Sequence, residues 1–99
     1  MLIPYKVNHM GVEPWQEYPA AAGSYKVGDA LKLADGELSA GGATPTHVCM
    51  ATKTAKSGEL LPCIPVDGDV IFECKTSEAG TYTAATVVGE VGNKSYLKF

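Results

Sequence analysis

The residues best suited to chemistry are three cysteines and one histidine. His47 and Cys49 are two positions apart, so a strand would place an imidazole and a thiol on the same face. With Cys63 and Cys74 they make up the donor set of a zinc site with three thiolates and one imidazole. Structural zinc sites usually draw their thiols from closely spaced pairs, whereas these three cysteines are singletons. We therefore predict buried free thiols, with no metal and no disulfide.

The other residues do not indicate a hydrolase, a calcium site or a phosphate site. A Cys–His nucleophile needs a third group to orient the imidazole, and none is evident beside His47. The turn sequence at 67–69 is too short for a calcium loop, and the glycine pair at 41–42 lacks the lysine of a phosphate loop. We expect His9 to be solvated or packed. The chain is predicted to be non-catalytic and to use no cofactor.

Short β-strands are the elements that would position these side chains. Residues 26–33 alternate between apolar and polar, which is the period of a half-buried strand. Asp35 and Gly36 then predict a two-residue hairpin loop, because a type I′ turn needs positive φ at both central residues. A loop of this length places Leu33 opposite Leu38 and so fixes the register of the hairpin.

Turn residues divide the remaining chain into further strands at roughly ten-residue spacing. These strands are predicted at 46–51, 60–66, 70–75, 81–91 and 96–99. Pro62 and Pro65 favour an edge or bulged position for the strand at 60–66, and residues 52–59 are predicted to be a polar loop with at most one helical turn. A buried Leu33 truncated to alanine should cost roughly 2–5 kcal/mol. The predicted core residues are Leu31, Leu33, Leu38, Val48, Met50, Phe72 and Val87.

The predicted fold class is all-β, a small β-barrel or sandwich-like body over 24–99 with an extended N-terminal arm over 1–23. Prolines exclude a long helix from the arm, yet it carries many large apolar side chains and the only tryptophan. Either the arm covers an edge of its own body or it reaches another chain. Both placements are open for the aromatic residues at its base, whereas strand addition to a partner is favoured for its first residues, and residues 1–8 should be removable without unfolding the body. The candidate partner-binding residues are Ile3, Tyr5, Val7, Trp15 and Tyr18.

Composition narrows the possible partners. The chain has 99 residues, the length of one domain, and a net charge of −3. Its lysines are scattered and it has no arginine, which argues against nucleic-acid binding. An odd number of cysteines and an N-terminus without a signal-peptide pattern lead us to expect a reducing interior. No apolar run approaches the ~18 residues that a membrane span needs.

Three stretches carry a resemblance to a known family. They are YKVGDALKL at 25–33, DGEL at 35–38 and TPTHVCMA at 44–51, followed by Gly58-Glu59 before an apolar strand. Over about residues 24–75 the chain resembles the small head decoration, or capsid-stabilising, proteins of tailed phages and prophages. The resemblance implies a compact β fold, often trimeric, on the outer capsid surface with the arm touching the shell. The implied partner is the major capsid protein lattice, and the implied location is the virion after synthesis in the bacterial cytoplasm.

We therefore predict a non-catalytic virion protein that decorates and stabilises a phage capsid as a homo-oligomer, a trimer, without nucleic acid or membrane. The alternative is an intracellular SH3-like β-barrel module that binds a peptide through exposed aromatic residues. A small thiol or metal enzyme is a third hypothesis, but no nucleophile has a base and an orienting group in view. A decoration protein gains affinity from many copies, whereas a peptide-binding module is usually a monomer.

Overall fold

A computed structural model of the chain describes residues 1–7, 15–67 and 70–99, except for the side chains of Lys6 and Val7. These residues confirm the all-β prediction, because they form eleven strands and a single helix of four residues. The elements are β1 (Ile3–Val7), β2 (Gln16–Pro19), β3 (Gly23–Tyr25), β4 (Ala30–Ala34), β5 (Glu37–Ala40), β6 (His47–Cys49), β7 (Lys53–Ala55), β8 (Leu60–Pro65), β9 (Val70–Lys75), α1 (Thr76–Ala79), β10 (Thr86–Val91) and β11 (Lys94–Lys98).

The strands form three antiparallel sheets. Sheet A has the order β1-β9-β11-β10, sheet B the order β2-β8-β6-β4-β5, and sheet C is the pair β3-β7. The edges of sheet B approach each other where Ala20, just after β2, forms an isolated bridge with Leu38 in β5. Sheet B is therefore curled, but the described residues do not form a closed barrel.

Sheet B is the middle layer, with a hydrophobic core on each side. Val48 and Ile64, paired across β6 and β8, belong to one core together with Phe72 of sheet A. Their neighbours Cys49 and Cys63 belong to the second core, which sheet C covers. Alternate residues of these two strands thus point into different cores, because successive side chains of a strand face opposite ways.

The hairpin predicted from Asp35 and Gly36 is confirmed. Leu33 pairs with Leu38 as expected, and the two loop residues have φ of 52° and 77°. Leu38 and Leu31 are completely buried, whereas Leu33 is half-buried at the margin of the second core. The cost expected for a fully buried leucine therefore applies to Leu31 and Leu38, and truncating Leu33 should cost less.

Two strand predictions were wrong. β8 is not an edge strand, because it lies between β2 and β6. The two prolines lie near the ends of the β6–β8 pairing. The carbonyl oxygen of Pro62 accepts the Met50 N–H at 3.0 Å just beyond the end of β6, and Pro65 is the last residue of β8. The polar loop expected at 52–59 contains β7, whose backbone pairs with β3.

One core prediction was also wrong. Val87 is 46% exposed, although the register places it opposite the fully buried Leu97. The reason is its position on β10, the outermost strand of sheet A, where the side chains are exposed along most of the strand. Val48 and Phe72 are completely buried as predicted, and Met50 is half-buried against the first core.

The first two strands are extended, and both pair with strands far along the chain. β1 pairs with β9, and β2 pairs with β8. Leu2, beside β1, is completely buried in the first core, and its N–H donates to the Gly28 carbonyl at 2.9 Å. The expectation that residues 1–8 can be removed without unfolding the body therefore loses its basis. His9 and the turn residues Gly68 and Asp69 lie outside the described residues.

Leu2 and Ile3 provide a direct test of this arrangement, because they are neighbours in sequence and Leu2 is completely buried while Ile3, the first residue of β1, is exposed. Leu2→Ala should lower the free energy of unfolding by about 2–5 kcal/mol, since it leaves a cavity in the first core. Ile3→Ala should cost no more than about 1 kcal/mol, the span of strand propensity, because Ile3 is 46% exposed. Urea denaturation measures both variants, and equal losses would contradict the burial of Leu2.

Candidate interaction surface

The side of sheet A turned away from sheet B is an exposed face, here called the outer face. Register defines its central row, in which Ile3 of β1, Glu73 of β9 and Tyr96 of β11 lie side by side. The adjacent row, with Phe72 and Leu97, points into the first core. The described side chains of the outer face include Ile3, Tyr5, Glu73, Lys75, Lys94, Tyr96 and Lys98.

Aromatic and aliphatic groups lie at the centre of the outer face. The register between β1 and β9 shifts between Pro4 and Lys6, so Tyr5 occupies a bulge. Its ring packs on that of Tyr96, with centroids 4.5 Å apart and planes tilted by 51°. Tyr5 is 60% exposed and Ile3 is 46% exposed, so this cluster presents apolar area to solvent.

Charged groups surround this cluster. Lys94 forms an ion pair with Glu73 at 3.2 Å, and the register places Lys75 directly opposite Lys94. The ammonium of Met1 donates to the Glu78 carboxylate, and this hydrogen bond holds the pKa of that carboxyl below its ordinary value. These groups line a hollow of about 320 Å³ beside Ile3.

The structure divides the predicted partner-binding residues between two places. Ile3 and Tyr5 come together on the outer face, while the side chain of Val7 lies outside the described residues. Tyr18 lies in β2, an edge strand of sheet B, and is half-buried, whereas Trp15 directly precedes β2 and is 52% exposed. The four of these residues whose side chains are described therefore do not form one surface.

Sequence reasoning missed Tyr96 as a member of the site. The signal was present, because Lys94, Tyr96 and Lys98 alternate with the buried Ser95 and Leu97. Such alternation marks a strand with one solvated face. The pairing of Tyr96 with Tyr5 connects the two ends of the described chain, and local patterns do not contain that information.

His47 belongs to a second polar cluster, at the edge of the second core. The hydroxyl oxygen of Thr46 accepts the Leu33 N–H at 2.7 Å and lies 2.9 Å from Nδ1 of His47. Nε2 of His47 lies 3.0 Å from the amide oxygen of Gln16. An amide oxygen can only accept, so Nε2 carries the proton and Nδ1 accepts the hydroxyl proton of Thr46. Burial lowers the pKa of the imidazole, which favours this neutral form.

This network gives His47 a structural role. It joins β2 to β6, and the ring of Tyr18 packs edge-on against the imidazole with centroids 5.5 Å apart. Both ring nitrogens of His47 are used, and every buried side-chain nitrogen or oxygen of the described residues has a partner. These hydrogen bonds hold the imidazole in one neutral tautomer between β2 and β6.

The cysteines are free and buried, and they are divided between the two cores. Cys49 and Cys63 lie opposite each other on β6 and β8, whereas Cys74 belongs to the other core. Within the described residues, no group of three or more metal-ligating side chains comes together. Burial raises the pKa of all three thiols, and that of Cys63 reaches about 11.

The Cys63 thiol predicts how stability changes in alkaline solution. It ionises at its ordinary pKa of 9.0 in the unfolded chain and at about 11 in the folded one. Between these pH values the unfolded chain binds fewer protons than the folded chain, so the free energy of unfolding falls as the pH rises. The stability that the buried Cys63 thiol contributes is therefore complete below pH 9 and is lost as the pH rises toward 11. The slope should approach about 1.4 kcal/mol per pH unit. Urea midpoints from pH 8 to 11 measure it, with Cys63→Ala as control, and an equal slope in that variant would contradict the assignment.

In the part of the chain that the structure describes, no helix has the length and apolar character to span a membrane. Comparison with protein families, curated proteins and solved structures found no match. The functional argument therefore rests on the residues and geometry of this chain.

Proposed function

We propose that this chain is a non-catalytic virion protein that decorates and stabilises a phage capsid by docking its outer face on the major capsid protein lattice. The observation that carries the proposal is the cluster on a well-packed sheet in which Ile3 and Tyr5 are exposed and Tyr96 is half-buried. The docking chemistry comes from this cluster, and the capsid as partner comes from the resemblance of residues 24–75.

The cluster has the properties of a binding hot spot. Tyrosine gives a large apolar contact and a hydroxyl for hydrogen bonding, and it loses little rotamer freedom on binding. Leu2, Phe72 and Leu97 are buried directly behind the outer face, so the sheet that carries the cluster is held firmly. A pre-organised surface loses less entropy on association than a flexible arm. Repetition over a lattice then multiplies a moderate affinity.

The burial of the reactive side chains supports a role without catalysis. The imidazole of His47 is engaged at both nitrogens, and burial holds the thiols of Cys49 and Cys63 in their protonated form at neutral pH. A thiolate, not a thiol, is the nucleophile in cysteine chemistry. The strongest candidates for catalysis are thus better explained as packing residues.

A peptide-binding module is the second candidate. A hollow of about 470 Å³ lies beside Tyr18, His47 and Pro65, and an extended peptide would lie there against the tyrosine ring. This hollow is on sheet B, so the two candidate functions use different faces. Substitutions on one face therefore distinguish between them.

The test is co-sedimentation with shells assembled from the major capsid protein of the same gene cluster. Tyr5→Ala and Tyr96→Ala should each weaken binding about tenfold or more, because truncated aromatic anchors cost the most at interfaces. Leu60→Ala is the matched control, since Leu60 is 51% exposed but belongs to β8 of sheet B. Each variant is first checked for an unchanged urea midpoint.

Two results would contradict the proposal. The full chain failing to sediment with shells would remove the capsid as partner. Loss of binding in Tyr18→Ala, with Tyr5→Ala and Tyr96→Ala unaffected, would move the docking surface to sheet B. Light scattering on the free chain gives its mass and tests the expected trimer separately.

A further inference from the structure

We infer that the partner of the outer face is a protein with an acidic surface. The inference rests on the proposed docking by this face and adds the chemistry of the partner. It follows from the positive net charge of the described side chains on the outer face, which is opposite in sign to the net charge of the whole chain.

Lysines outnumber carboxylates among the described side chains of the outer face. Lys75, Lys94 and Lys98 are all exposed, and their described acidic neighbours are Glu73 of the same sheet and Glu78, which binds the Met1 ammonium beside the same hollow. The chain as a whole has a net charge of −3, so the remaining surface is more acidic than the average. An acidic partner would be attracted by the outer face and repelled by the rest of the molecule, which orients the encounter.

The lysines are also incompletely neutralised. Lys75 and Lys94 face each other across β9 and β11, an arrangement that is unfavourable for like charges. Glu73 pairs with Lys94 at 3.2 Å, whereas Lys75 and Lys98 form no ion pair with the described residues. A carboxylate of a partner would relieve this repulsion.

The arrangement around Tyr96 combines aromatic rings with charged groups, because Glu73 lies beside Tyr96 in the central row and lysines flank it along β11. Lys94 and Lys98 flank Tyr96 on the same face of β11, and Tyr5 packs on its ring from β1. In protein interfaces the aromatic centre supplies most of the affinity, while charges at the rim mainly set the association rate and the specificity. The partner should therefore present an apolar depression surrounded by carboxylates.

Nucleic acid fits the outer face less well than protein. The chain has no arginine, the residue that contacts phosphates and bases in bidentate fashion. Tyr5 and Tyr96 pack on each other, so neither ring is fully available to stack on a base.

The test uses poly-L-glutamate as the probe and nuclear magnetic resonance of the isotope-labelled full chain as the readout. At low ionic strength, backbone shifts should concentrate in β1, β9 and β11, and binding should disappear as salt is added, because exposed charges are screened. Lys98→Glu and Lys75→Glu should each weaken binding about fivefold. Lys32→Glu is the matched control, since it makes the same charge change at an exposed position of β4 in sheet B.

The outcomes separate this inference from the capsid proposal. Equal weakening by Lys32→Glu, or shifts spread over sheet B, would overturn the assignment to the outer face. A single-stranded oligonucleotide that binds β11 more tightly than poly-L-glutamate would overturn the choice of a protein partner. Binding of poly-L-glutamate at the outer face without binding to shells would support an acidic partner and reject the capsid. The salt dependence of the unmodified chain gives the same information if a variant fails to fold.

Discussion

The burial of β6 and β8 on both faces is the constraint on which the rest of the structure depends. Sheet B packs against sheet A through Val48 and Ile64, and against sheet C through Cys49 and Cys63. A strand in this position can carry a polar side chain only if neighbouring groups satisfy it. His47 meets this requirement through Thr46 and Gln16. The imidazole of His47 is thus buried and hydrogen-bonded at both ring nitrogens, beside the hollow on sheet B.

Sheet A has a different physical situation, because only one of its faces is packed against another sheet. Leu97 and Phe72 fix the sheet from behind, and this leaves the outer face free to carry tyrosines and lysines without loss of core packing. The same separation allows the outer face to be changed without altering the core. Tyr96 and Lys98 lie on the outer face, whereas Leu97 is buried in the first core, so substitutions at Leu97 alter whether the sheet forms.

Local patterns predicted the all-β class, the hairpin at Asp35 and Gly36 and much of the core, because each depends on residues close in sequence. The position of β8 was missed because Pro62 has meaning only when its partner strand is known. Val87 was missed because alternation indicates which way a side chain points, but not how far the opposing sheet extends. The sequence pointed to only part of the outer face. Ile3 and Tyr5 were predicted to bind a partner, but Tyr96 was not, because it lies on a strand at the other end of the described chain.

The pairing of β1 with β9 also constrains the time course of folding during synthesis. The Met1 ammonium contacts a carboxylate 77 positions later, and β1 has no strand partner until β9 has left the ribosome. Until then the apolar side chain of Leu2 and an unpaired strand edge are exposed on the nascent chain, a situation that favours association with other chains. Folding that depends on such distant contacts is slow. The nascent chain is accordingly open to association with other chains until β9 has emerged.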